Sequence, residues 1–249
     1  MRNIWTIARR EYRHYFISPI AYIVALVTLL WIGIYFVVVI NYVSAQAYYS
    51  ASSAPDVSIV VGQMATIFLL TSPALTMRLL ADEQRMGTME LLLTAPLHDW
   101  ELVVGKWLGS FLFTLTLIGI SLIYPLVLHT MTTGGIDQGL LLSSYMAIIL
   151  LSAVFLAIGT AISALFSNQF AAFFATLATL LTLWWLISLP TYVLPAGTIS
   201  NIFNYLALNG RFNAMVGGVI TNADIVYHLS LTALGLFIGA TAVEIRRWR

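Results

Sequence analysis

The sequence predicts an all-α integral membrane protein with six transmembrane helices, and three observations predict it. First, hydrophobic residues make up 60% of the 249-residue chain and charged residues only 8%. A soluble domain carries about a quarter charged residues, so this chain cannot cover a water-facing surface. Second, the apolar residues fall into six long runs, at residues 20–42, 59–77, 107–128, 140–166, 169–189 and 225–243. Each meets the ~20 residues a helix needs to cross a ~30 Å hydrocarbon core. Backbone amides in lipid must be satisfied internally, which makes such runs helices, and their continuity excludes a β-barrel of alternating ten-residue strands. Third, ten of the eleven Lys and Arg residues can lie on one side. Arg2, Arg9, Arg10 and Arg13 precede span one, Arg78, Arg85 and Lys106 lie between spans two and three, and Arg246, Arg247 and Arg249 follow span six. Only Arg211 falls opposite. The positive-inside rule then predicts that both termini and the segment between spans two and three are cytoplasmic, and an even number of spans agrees by placing the two termini on one side. The chain reads as a single transmembrane domain over residues 1–249.

Residues 1–19 interleave Ile4, Trp5, Ile7, Ala8, Tyr12, Tyr15 and Phe16 with Arg9, Arg10, Glu11, Arg13 and His14. At helical spacing this makes an apolar stripe beside a basic one, the signature of a helix in the membrane interface. Ser18-Pro19 breaks it and turns the chain into span one. The basic residues read either as a topology-setting flank or as an elbow that also touches a cytoplasmic partner. Ala45-Gln46-Ala47 resembles a signal-cleavage site, but a signal core is about 7–15 residues long. Run 20–42 exceeds that, so a retained first span is expected.

Residues 43–58 form a polar outer loop. Pro73 in span two and Pro125 in span three each remove an amide donor and predict kinks. The stretch 78–106 holds half the acidic residues: Asp82, Glu83, Glu90, Asp99 and Glu101. Met86, Met89, Leu92 and Leu93 recur at helical spacing and predict a short amphipathic helix, which Ala95-Pro96 stops. Asp99 is the expected N-cap of the next helix. A connection this long between two spans is uncommon without a function. It reads as a docking surface or as a solvated loop on the headgroups, and periodicity alone does not separate the two.

Phe166-Ser167-Asn168-Gln169 predicts a tight turn between spans four and five. Trp184 and Trp185 fit an interfacial aromatic belt. Residues 190–224 form the longest outer segment. Pro190 and Pro195 open it, Ile199 to Leu206 and Phe212 to Ile220 suggest two short helices, and Asn209-Gly210 separates them. A gate, a lid, a partner site and a plain cover are all compatible with this pattern.

The chemistry that is missing narrows the function. The chain has no cysteine, which excludes disulfides and a thiolate nucleophile. Gly105-Lys106 invites comparison with the phosphate-cradling G-x-x-x-x-G-K-[ST] loop, but Trp100 stands where its first glycine belongs and Trp107 replaces the hydroxyl residue. His14, His98, His129 and His228 are scattered, with no zinc spacing, and read as interfacial. No Asp, Glu, Lys or Arg lies inside the six runs; Arg78 and Lys106 sit at their ends, placed to snorkel. An ion-coupled carrier typically needs a mid-membrane carboxylate or broken helix. Asn41, Gln63, Thr66, Thr71 and Ser72 are the polar members and suit bonds to neighbouring helices. No site for a cofactor, metal or nucleic acid is evident. A membrane part without an energy source, presenting an ordered polar segment, suggests a subunit driven by a separate motor.

At Glu83, Arg85, Gly87-Thr88, Glu90, Leu91-Leu92-Leu93-Thr94, Pro96, Glu101 and Gly105-Lys106 the chain resembles the ABC-2 class of ATP-binding-cassette transporter permeases. Within that class it is most similar to the gliding-motility (GldF-like) subgroup. The stretch matches the family's E-x-R-x-G-T-x-E-L-L-L-T-x-P pattern followed by G-K. The amphipathic start ending in Ser18-Pro19, the turn at Phe166 to Gln169, and Phe212, Gly217, Asp224 and Tyr227 agree. The resemblance implies the ABC-2 (type V exporter-like) permease fold, with an elbow helix (Arg9, Arg10, Arg13) and a coupling helix between spans two and three. It implies that Glu83, Arg85, Met86, Gly87, Thr88, Met89, Glu90, Leu92 and Leu93 dock on an ABC ATPase subunit. In that helix Met86, Met89 and Leu92 would supply the apolar face, and Glu83, Arg85 and Glu90 the charged one. It further implies a chain that is not itself an enzyme, ATP and Mg bound by that partner, a second permease copy or paralogue, location in the cytoplasmic (inner) membrane, and in this subgroup a permease-associated protein with an extracytoplasmic domain. Substrate translocation, mechanical work on extracytoplasmic proteins without translocation, and ion-coupled carriage are the competing activities.

Overall fold

The computed structural model describes residues 2–47, 57–87, 98–132, 135–193 and 197–247. Among them every regular element is helical. Six helices are long and apolar enough to cross a membrane: Pro19–Ala45, Val57–Arg85, Asp99–Met131, Gln138–Leu165, Gln169–Thr191 and Asn222–Arg246. The six predicted runs therefore hold, with longer ends.

Helix α1 (Arg2–Tyr15) is the predicted elbow. The chain turns at Phe16 to Ser18 and enters α2 (Pro19–Ala47) at the proline, whose missing amide costs nothing at a helix start. Helix α3 (Val57–Thr76) contains Pro73 and leads into the short α4 (Ala81–Arg85). Helix α5 (Asp99–Ser121) starts eight residues ahead of the predicted span, since 107 − 99 = 8. Its cap is His98, not Asp99: the His98 amide donates to the Glu101 carboxylate at 3.3 Å, so the acid three residues on supplies the cap. The helix breaks at Leu122, and α6 (Ile123–Met131) continues the span. The break follows from Pro125, whose ring crowds the carbonyl four residues back, at Ser121. The Ser121 hydroxyl turns to Ile118 O at 2.7 Å.

Helix α7 (Gln138–Leu165) is the centre of the bundle: 78% of its most apolar stretch is buried, against 22% for α2. Small residues make this possible. A Cβ on Gly159 would collide with the Thr76 side chain of α3, and one on Gly235 would press on the Ala157 backbone. In lipid, helices associate through such close packing, because lipid tails offer no hydrophobic driving force. Helix α8 (Gln169–Trp184) is capped by Asn168, whose Oδ1 accepts from the Phe170 and Ala171 amides, so the predicted turn is present.

Beyond α8 the chain differs from expectation. Pro190 does not open a loop; a 3-10 turn (Leu186–Ser188) leads into α9 (Leu189–Val193), which contains it. Two outer helices follow as predicted, α10 (Thr198–Leu206) and α11 (Leu208–Val216), but they divide at Ala207. Asn209-Gly210 lies inside α11, where burial of Leu208, Phe212 and Met215 overrides glycine's weak helix propensity. Helix α12 (Asn222–Arg247) returns to the face of the termini.

Four residue assignments are corrected by packing. Trp184 is buried rather than interfacial, lying 5.9 Å from Phe155 and 5.6 Å from Phe212 between ring centroids, while Trp185 stays half exposed. Successive residues on a helix point about 100° apart, so one faces the bundle and the next the lipid. His228 is fully buried, its Nδ1 2.7 Å from Asp224 O. Asn41 and Thr71 bond back to carbonyls of their own helices, Val37 O and Ile67 O, instead of to neighbours.

Candidate functional site

The face of the termini carries a knot of charge built from three elements. It begins with two glycines. Gly105 and Gly109 lie four apart on α5 and leave a groove in which α1 rests. A Cβ on Gly105 would stand 2.8 Å from Ile7 Cβ, and one on Gly109 would stand 2.5 Å from Glu11 Cβ and 3.0 Å from Ala8 O. The two helices run in the same direction along the contact. Asn3 Nδ2 donates to Glu101 Oε2 at 3.1 Å, Tyr12 and Thr116 share a bond at 3.1 Å, and Tyr15 stacks on Phe113 at 4.9 Å. The apolar stripe of α1 is thus covered largely by α5, with Ile7, Ala8 and Tyr15 buried. Trp5 and Phe16 remain exposed.

This close approach brings the chain's lysine against two acids. Lys106 Nζ lies 3.0 Å from Glu11 Oε1 and 2.8 Å from Glu83 Oε1. Arg10 Nη2 is 3.3 Å from Glu11 and 3.7 Å from Glu83. Lys106 is 2% exposed. It therefore does not snorkel: the cation ends in carboxylates, not in water, because α1 and α4 close over it. Two acids and two bases make a neutral cluster, the condition under which buried ions are tolerated. Burial alone raises the Glu11 carboxyl. The Lys106 ammonium and Arg10 guanidinium outweigh that and hold it below the usual carboxylate range. Burial also pushes the Tyr15 phenol far above its ordinary value, and it donates to Leu75 O at 2.9 Å.

A depressed carboxylate has a definite pH consequence. The stability Glu11 contributes is complete above the ordinary carboxylate range and is lost as pH falls through that range and on through its lower folded value. Melting temperatures of the purified protein should therefore drop on acidification, and Glu11→Gln should flatten that part of the curve. An unchanged acid limb in Glu11→Gln would remove this group from the account.

Helix α4 is fastened on its other side to α7 and α8. Ser163 Oγ accepts from the Leu80 and Ala81 amides, both at 3.1 Å, and so satisfies open donors at the start of α4. Gln84 Nε2 donates to Ala164 O at 2.8 Å, and Gln169 donates to Asp82. Arg246 at the end of α12 donates to Leu165 O at 2.7 Å. One five-residue helix thereby links α1, α5, α7 and the α7–α8 turn.

The residues expected to dock divide into three groups. Glu83 points inward to Lys106 and does not supply an outer charged face. Arg85, Met86 and Gly87 project outward, Met86 at 67% exposure, and Gly87 has φ 69°, a left-handed turn that ends α4. Thr88, Met89, Glu90, Leu92 and Leu93, and with them most of the expected amphipathic helix and its stop at Pro96, lie outside the described residues. In the elbow, Arg10 joins the cluster while Arg9 and Arg13 are exposed. Sequence reasoning missed Glu11 and Ser163 as partners. The Gly105–Gly109 spacing was the available signal for the α1–α5 contact.

The opposite face carries a second latch. The lone outer cation, Arg211, pairs with Asp224 at 2.8 Å and lies 4.0 Å over the Tyr205 ring and 4.6 Å over Tyr227. Thr221 Oγ1 donates to Asp224 at 2.6 Å. This ties α10 and α11 to the start of α12, so the outer segment is a packed cap. Among the described residues no group of three His, Cys, Asp or Glu is arranged to hold a metal.

Residues 5–243 match the family model described as ABC-2 family transporter protein. No curated protein matches the chain.

Proposed function

This chain belongs to the ABC-2 transporter family, as a membrane permease subunit of an ABC transporter, and from that premise we propose that its termini face is where a separate ATPase subunit docks and delivers force. The family's membrane subunits do not hydrolyse ATP and work with ABC ATPases. In this reading ATP and Mg bind to the partner. The distribution of basic residues supports cytoplasmic termini, and in this reading the membrane is the cytoplasmic (inner) one. A second copy or a paralogue completes the permease pair, of the gliding-motility subgroup, and the complex exports substrate or drives extracytoplasmic work, with a permease-associated extracytoplasmic protein as companion.

The observation that carries the reading is the buried Lys106–Glu11–Glu83 cluster beneath an exposed tip at Arg85, Met86 and Gly87. A docking element transmits force only if it is anchored. Here the anchor reaches α1 and α5 through Lys106 and α7 through Ser163, so a push on the tip is shared by three helices. Thr88, Met89, Glu90, Leu92 and Leu93 extend the tip in sequence, and Arg9 and Arg13 flank it from the elbow.

Co-purification tests this. The chain is expressed with the ATPase encoded beside it and the complex is weighed. A permease pair with two ATPases is expected, and substitution of Met86, Met89 and Leu92 by Asp should release them. A stable chain that never retains an ATPase would overturn the docking assignment and return the scaffold and carrier activities to the front.

A further inference from the structure

The cleft beside the elbow has a use that ATPase docking does not require. It has a volume of about 810 Å³ and lies between α1, the first turn of α2, the last turns of α3, and α4. Its inner wall is apolar: Ile20 and Ala21 from α2, Ala74 and Leu75 from α3, and Leu79 from the turn that follows it. Its rim is basic. Five cations line it, Arg9, Arg10, Arg13, Arg78 and Lys106, against three carboxylates, Glu11, Asp82 and Glu83, so two positive charges are unmatched. The pairing shows which two. Arg10 and Lys106 meet Glu11 and Glu83, and Arg78 leans on Asp82 at 4.0 Å. Arg9 and Arg13 have no carboxylate within ion-pair distance among the described residues. They sit one helical turn apart on the same face of α1, and both also border the neighbouring groove formed by Trp5, Tyr12, Leu112 and Leu115.

We propose that this cleft holds the headgroup of one anionic phospholipid, its phosphate between Arg9 and Arg13 and an acyl chain along Ile20, Ala21 and Leu75. The location fits, because α2, the first span, starts at Pro19, at the mouth of the cleft, beside the exposed Ile17. The chemistry fits as well. Two guanidinium groups match a phosphate with geometry a single ammonium lacks, and a lipid with net negative charge offsets half of the excess where a zwitterionic one offsets none. The lipid would brace the outer side of α1 as α5 braces the inner side.

The test uses the full chain purified in mild detergent, with phosphatidylglycerol and phosphatidylcholine as probes. Native mass spectrometry counts retained lipid, and thermal melting reports stability. Wild type should keep one phosphatidylglycerol per chain in preference to phosphatidylcholine. An Arg near an anionic headgroup is worth about fivefold, so Arg9→Gln with Arg13→Gln should reduce that preference by roughly 25-fold. The paired Arg→Lys substitution should retain part of it, and Arg246→Gln, outside the cleft, should leave it intact. Equal preference in wild type and the double Gln variant would overturn the proposal. So would displacement of the lipid by millimolar inorganic phosphate, which would mark a site for a free anion. The melting temperature without lipid separates misfolding from lost binding: the double Gln variant should match wild type there, and should lose only the phosphatidylglycerol-dependent rise.

Discussion

Replacing Lys106 by Ala is expected to cost about 3–5 kcal/mol of stability, the usual consequence of removing one partner from a buried ion pair. Lys106 is the centre of the knot: its ammonium is 3.0 Å from Glu11 and 2.8 Å from Glu83, both largely shielded from water. Without it two carboxylates face each other with only Arg10 between them, and Arg10 is mostly exposed. Part of the loss should be relieved at lower pH, because the stranded Glu11, no longer held ionised by the Lys106 ammonium, can then take up a proton. The triple substitution Lys106→Met, Glu11→Gln, Glu83→Gln should recover most of the stability, since the one charge it leaves in the cluster is that of Arg10, which reaches water. Its coupling should remain impaired, because the links from α4 to α1 and α5 are gone. Thermal melting of the three proteins checks the first part, and substrate-independent ATPase stimulation in the complex checks the second. A Lys106→Ala protein that melts with wild type would show that the cluster is not structural.

Gly109→Val should detach the elbow. Even the first added carbon would stand 2.5 Å from Glu11 Cβ and 3.0 Å from the Ala8 carbonyl. The second contact is backbone, so the helix itself must move. Overpacking of this kind costs about 1–3 kcal/mol, and the displacement also separates Lys106 from Glu11. Trypsin reports the outcome directly, because Arg9, Arg10 and Arg13 lie on the elbow. Cleavage there should be faster in Gly109→Val than in wild type, with Gly109→Ala between them. Gly119 on the same helix has nothing within 4 Å of an added Cβ, so Gly119→Ala should leave the cleavage rate unchanged. Equal cleavage in Gly109→Val and wild type would mean the elbow does not depend on this groove.

The two expected results show how far reading the chain by itself reaches. Six spans, the elbow, the turn at Asn168 and the paired outer helices were all legible, because each rests on composition or local periodicity. Errors came where a residue's environment mattered more than its neighbours in sequence. Trp184 and His228 looked interfacial and are buried. Asn209-Gly210 looked like a break, yet burial on one side of α11 carries the helix through it. Lys106 at the end of an apolar run looked free to reach water, and nothing local signals that α1 and α4 will cover it.

Composition and periodicity alone place this chain in a membrane and give its six spans, its basic face and the family whose pattern it carries. These follow from transfer free energies and helix periodicity, which act residue by residue. It took the packing of the helices to turn Glu83 inward, to bring Glu11 and Lys106 together across 95 residues of chain, and to leave Arg9 and Arg13 facing a cleft. Those outcomes depend on how closely two helices approach, which side chains at Gly105 and Gly109 would have prevented, and on charges finding one another in a medium where an unpaired one cannot stay.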